Sequence, residues 1–330
     1  MLRMWLFMVA SASAFRAPGP IHSPLLLAKR GSAVHQLHAL PTASAFQARV
    51  PQPKASLALP SIGAAAIWPT AAASGAAAVA AQLVLTASFK RSSDKAVSST
   101  AGLLAYRIVA FVYTLLLTVV GGALFLNPAN WPGSAATAMS TANGTVRFIG
   151  AVLFGELLLW DIPCAIWIKK LRRPDLLAHH IGLAVGPALV AMRFLPLFYY
   201  AWFIGFSEAS SVFLAGNDFF AELHDAVQKT DGESSSRLTG LAQKRDAFQI
   251  GAALTFVAVR VCGWAWLVWL LFRDTLAVLP LALSVGTRTL LRLQLGMAAG
   301  FYALQLYWFS KLVAYARGGW EGGSQDDAYN

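Results

Sequence analysis

The chain has 330 residues, 57% apolar and only 12% charged, with a mean hydropathy of +0.57. Soluble domains carry roughly 25% charged residues, so this composition excludes a soluble surface and suits a lipid-facing one, where the bilayer replaces water as solvent. The net charge of +11 does not indicate a nucleic-acid partner: six of the 26 basic residues (Arg3, Arg16, Lys29, Arg30, Arg49, Lys54) lie in the first 60 positions, well before the first acidic residue, Asp94, and most others sit in short loops between apolar runs.

Residues 1–14 have the layout of a secretory signal. Arg3 supplies the basic start, Met4–Ala10 the apolar stretch, and Ala12-Ser13-Ala14 a small-residue cleavage site before Phe15. The stretch to about residue 60 is rich in Ala, Ser, Leu and Pro, basic and free of acid, which is transit-peptide composition. Together they resemble the bipartite leader of plastid proteins in algae with secondary plastids. The alternative is a plain signal peptide leading to the endoplasmic reticulum or another endomembrane. The domain plan is a cleaved leader over 1–60, an Ala-rich segment over 61–98 with the first membrane helix, a membrane domain over 99–316 and a tail over 317–330.

Seven apolar runs are each long enough to span roughly 30 Å of hydrocarbon at 1.5 Å per residue. They cover about 71–89, 102–126, 147–168, 178–195, 196–215, 250–272 and 293–315. Thr275–Gly286 contains Pro280 and is too short to span, so a re-entrant or interfacial piece is expected there. Residues 216–249 are polar, with a soft centre at 231–236, and read as a mobile loop. Loop charges test this threading. Lys90–Lys95, Lys169, Lys170, Arg172, Arg173, Lys229, Arg237, Lys244, Arg245, Lys311 and Arg317 fall on one side, here side A. Only Arg147, Arg193, Arg273, Arg288 and Arg292 fall on side B. Side A is therefore the cytosolic or stromal face. Cys164 and Cys262 lie in apolar runs without metal-ligand spacing and read as small buried side chains. No metal or cofactor is expected.

Ionisable groups inside spanning helices are expensive and face the bundle interior by default. Here they are Arg107, Glu156, Asp161, His179, His180, Glu208 and Arg260, with Lys311 near the end of the last run. Counted by helix rise, the layer formed by Arg107, Asp161, the histidines, Glu208, Arg260 and Lys311 lies within about 15 Å of side A. Two readings follow. These groups are buried pairs that fix packing, or they line an interior cavity open toward side A that holds a polar group on an apolar tail. One inward histidine with a carboxylate behind it can serve as base or nucleophile.

In order, the chain carries Arg107-Ile108-Val109, Leu159-Trp160-Asp161, His179-His180, and Ser207-Glu208-Ala209-Ser210 with Phe213-Leu214. Val259-Arg260-Val261 and Tyr307-Trp308-Phe309-Ser310-Lys311 follow. This series, over about residues 100–315, resembles the TLC-domain family, which includes ceramide synthases, translocon-associated membrane proteins and small lipid-homeostasis proteins. The Glu-x-Ser form resembles the small members. The chain has only Glu208 where ceramide synthases carry several acids, with Asp218 beyond it, and Tyr113 stands where many relatives carry histidine. The resemblance implies an all-α bundle of about seven transmembrane helices. It implies a protein of membrane lipid homeostasis that binds an acyl lipid in an intramembrane cavity lined by Arg107, Tyr113, Glu208, Arg260, Trp308 and Lys311. The alternative is an acyl-CoA-dependent acyltransferase, with His179 or His180 as base or nucleophile and Asp161 orienting it. A third possibility is a membrane transporter or cargo chaperone, although no internal repeat is visible. The partners implied are a membrane lipid or acyl-CoA.

Overall fold

The computed structural model describes residues 63–140, 143–192, 197–282 and 285–317. The leader over 1–60, Arg193 and the tail beyond Arg317 lie outside them. Among the described residues the structure is all helical. The Ala-rich run forms α1 (Ile67–Lys90), as the high helix propensity of alanine dictates. Pro69 falls in its first turn, where a missing N–H breaks no helical bond. The short α2 (Lys95–Ser99) is capped by Asp94, which accepts from the backbone N–H groups of Ala96 and Val97. Then come α3 (Ala101–Phe125), α4 (Ala135–Ser140) and α5 (Gly144–Trp167), the last capped by Asn143. Pro174 opens α6 (Pro174–Ala191) at the position where proline is best tolerated. The remainder is α7 (Leu197–Phe203), a 3-10 turn at Phe206–Glu208, α8 (Ala209–Asp231), α9 (Ser236–Leu281) and α10 (Val285–Arg317).

Four of these helices, α1, α3, α5 and α9, are long and apolar enough to cross a membrane, and α6 is a shorter apolar helix. Their outer faces are apolar, with Leu83, Val84, Trp167 and Trp269 exposed. The protein is an integral membrane helical bundle. Its main core joins Leu117, Phe125, Ile149, Tyr199, Trp202, Trp264 and Leu267 from four helices. Two close approaches fix the packing. A Cβ on Gly155 would lie 1.9 Å from the Ala71 carbonyl oxygen, and one on Gly121 would lie 2.5 Å from the Gly205 Cα. Such small-residue contacts are how membrane helices approach without a hydrophobic driving force.

Two helices widen into π turns, at Leu157–Asp161 in α5 and Phe256–Gly263 in α9. In α5 the cause is local. Pro163 donates no hydrogen bond, and its ring would strike the Leu159 carbonyl in a regular α-helix.

Several expectations need correction. The run expected as one helix over 196–215 breaks after Phe203, where Gly205 packs on Gly121, and α8 then continues to Asp231. The supposed loop over 216–249 is a helical hairpin with its turn at Gly232, whose φ is +83°. Polar composition concealed an apolar stripe: Ala226 and Val227 pack on Leu241 and Ala96, with Phe220, Leu223 and Leu238 against them. The stretch Thr275–Gly286, expected as a re-entrant or interfacial piece, is helical where it is described. It is the end of α9, a 3-10 turn at Leu279–Leu281 and the start of α10. Cys262 is exposed on the outer surface rather than buried, and Cys164 is partly buried.

The contacts agree with the loop-charge threading. Arg237 at the start of α9 reaches Asp94 at 2.5 Å, and Lys170 reaches Glu222 of α8 at 2.6 Å. Three segments expected on side A thus meet one another. Toward the other end, Trp131 packs on Phe198 and Trp266, and Arg147 donates to the Ala191 carbonyl at 3.0 Å.

Candidate functional site

The first cluster is built around Asp161, the last residue of the π turn in α5. Tyr106 of α3 donates its hydroxyl to Asp161 Oδ1 at 2.6 Å, and His180 Nδ1 of α6 stands 2.6 Å from Oδ2. Both carboxylate oxygens are therefore engaged. Nδ1 faces the carboxylate at ion-pair distance, which leaves Nε2 as the nitrogen for ligand contact or proton transfer by His180. Trp160 covers the cluster, stacked on Tyr106 at 5.0 Å. Adjacent helical residues point about 100° apart, and His179 accordingly turns away toward α10. Its ring meets Trp308 edge-on at 4.7 Å and Phe301 at 6.2 Å.

The second cluster joins the break between α7 and α8 to the π turn of α9. Arg260 donates to both Glu208 carboxylate oxygens at 3.2 Å, to the Ser207 carbonyl at 3.2 Å and to Ser211 Oγ at 2.7 Å. Glu156, Asp161, Glu208 and Arg260 are all buried. The Glu156 carboxyl lies in the field of both Asp161 and Glu208, and Glu208 in turn acts on His180. The two clusters form one polar layer.

A row of ion pairs closes the side-A end. Asp218, Glu222 and Asp225 fall on one face of α8, at the spacing of a helical stripe. Arg107 pairs with Asp218 at 2.8 Å and reaches Glu222 at 3.9 Å. Lys170 lies 2.6 Å from Glu222 and 3.7 Å from Asp225.

Of the residues singled out in the sequence, the fold brings together Asp161 with His180, Glu208 with Arg260, and His179 with Trp308. Arg107 belongs to the ion-pair row. Tyr113 also stacks on Trp160, at 6.4 Å, and donates to the Ser74 carbonyl at 2.6 Å, and the Lys311 ammonium lies 4.9 Å from the Tyr307 ring centroid. Sequence reasoning missed Tyr106, Ser211 and Glu222. It also missed a buried pair toward side B, where Tyr199 bonds Asp274 and Arg273 pairs with the same carboxylate at 2.7 Å. Asp274 was legible as an acid at an apolar helix end; the neutral partners carried no comparable signal.

Between α6, α7, α9 and α10 is a cavity of about 30 Å³, lined by Leu183, Tyr200, Phe203, Trp264, Met297 and Phe301 among others; none of the charged residues of the polar layer lines it. That is room for about one water. Among the described residues, no three His, Cys, Asp or Glu side chains form a metal-binding group. A family model described as TLC domain matches residues 104–314. Neither the curated proteins nor the solved structures yield a match.

Proposed function

The chain belongs to the TLC-domain family, and on that premise we propose that it binds an acyl lipid within the bundle and acts in membrane lipid homeostasis. The carrying observation is the polar layer. Each ionised group in mid-membrane costs about 2.5–3.5 kcal/mol on insertion scales, and apolar residues of similar volume would pack as stably or better. A layer retained at that cost, buried and turned inward, suits recognition of a lipid's polar head.

The apolar chain enters between α6 and α10. These helices meet through side chains: Phe301 lies against His179, 3.7 Å from where a Cβ on Gly182 would stand, and Met297 lies 3.9 Å from the same point on Gly186. Rotation of Phe301 and Met297 would enlarge the small cavity without breaking a close backbone contact. The composition of the leader supports a plastid membrane as the location, and N-terminal sequencing of native protein should find a start near residue 60; a start at Met1 would contradict it.

One observation favours a second reading, an acyl-CoA-dependent acyltransferase. Asp161 holds His180 Nδ1 at 2.6 Å, the arrangement that would make Nε2 a general base or acyl acceptor. Alanine replacement of His179 and His180 in the full chain separates the two readings. A binder leaves acyl-CoA unconsumed in the unmodified protein and keeps bound lipid in the folded variants. Thioester consumption that disappears in folded His180→Ala would establish the enzyme instead.

A further inference from the structure

We propose a second lipid site on the outer face of the bundle, a groove between α3, α8 and α9 that holds one chain of an anionic phospholipid. The groove has a volume of about 290 Å³ and is lined by Ile108, Phe111, Ala215, Phe219, Phe220 and Phe248. That lies near the lower end of the roughly 300–1,000 Å³ typical of small-molecule sites. Arg107 also borders the groove. On the same three helices Val112, Leu214 and Leu254 are exposed, so the groove opens onto hydrocarbon. On α8 the wall runs over residues 215–220, about 8 Å at the α-helical rise.

The charge at the side-A end selects the occupant. The Lys244 ammonium lies 5.6 Å from the ring centroid of Phe220, itself a groove residue. The neighbouring cations are matched: Arg107 pairs with Asp218 at 2.8 Å and Arg245 with Asp246 at 3.2 Å. Lys244 makes no ion pair among the described residues. An apolar groove ending at an unmatched ammonium is complementary to an acyl chain ending at a phosphate. The chain lies against the four phenylalanines and the head group meets Lys244. The groove contains none of Asp161, His180, Glu208 or Arg260, so the two sites stand or fall separately.

The test is native mass spectrometry of the full protein after equilibration with vesicles of equal phosphatidylglycerol and phosphatidylcholine content. One phosphatidylglycerol should be retained in preference to phosphatidylcholine. Lys244→Ala, at an exposed position, should reduce that preference about fivefold, the value of one basic residue near an anionic surface. Ala215→Phe should displace both lipids. Should that variant fail to fold, Ile108→Trp from the half-exposed wall fills the same space. Equal retention of the two lipids by the unmodified protein overturns the proposal. So does an adduct that survives groove filling, or one lost with Asp161→Ala and not with the groove variants.

Discussion

At the scale of single residues, the polar layer pairs charges across helices, Asp161 with His180 and Glu208 with Arg260. Arg260 spends its donors on Glu208, the Ser207 carbonyl and Ser211. Removing one partner of a buried pair leaves an uncompensated charge and costs about 3–5 kcal/mol, whereas replacing both by apolar residues is often neutral. Glu208→Gln or Arg260→Met alone should therefore destabilise the bundle by about that amount. The double replacement with Glu208→Leu and Arg260→Met should recover most of the loss, as read from thermal unfolding in detergent. Additive losses would contradict the pairing. Asp161, His180, Glu208 and Arg260 were legible in the sequence because a charge in an apolar run is costly and so conspicuous. Tyr106 and Ser211 were not, since a tyrosine or serine in such a run is cheap and common. The partner of each charge became visible only when the helices were brought together.

At the scale of elements, helix placement was legible wherever the signal was length and apolar content, and failed where irregularity or a mixed stripe decided. The break at Gly205 depends on a contact with Gly121, more than 80 residues earlier, which no local pattern encodes. The α8–α9 hairpin looked like a loop because its charged and polar residues break up any continuous apolar run, although Ala226, Val227 and Leu241 lie on its inner side. The hairpin is tied to the α1–α2 turn by Arg237, whose guanidinium holds the Asp94 carboxyl below the usual carboxylate range. A depressed folded-state value stabilises the native contact above the unfolded value, about pH 3.9. That contribution is lost as pH falls through the lower folded value. Hydrogen exchange at residues 95–99, corrected for its intrinsic rate, should be constant from pH 7 to pH 5 and rise below about pH 4. Asp94→Asn should show the faster exchange already at pH 7. Equal exchange in the variant would remove this tie from the account.

At the scale of the whole molecule, the excess of basic residues on one side set a threading that the structure supports through its end-to-end contacts. Positions near Arg172 and Ser235 should label from one side of the membrane in single-cysteine variants, and positions near Asn143 from the other. Labelling of all three from one side would break the threading and separate the polar layer it assembles. What the whole bundle adds is that the irregular turns around Asp161, Glu208 and Arg260 converge, which gathers separate costs into one buried polar layer, the layer proposed above to recognise a lipid head. Lipid mass spectrometry of the purified protein tests this most directly. The unmodified protein should carry a non-covalent acyl lipid at about one per chain, and a folded variant with Asp161→Leu, His180→Leu, Glu208→Leu and Arg260→Met should lose it while keeping any lipid held at the outer groove. A variant that keeps the full complement of lipid, or an unmodified protein that carries none, would contradict the account.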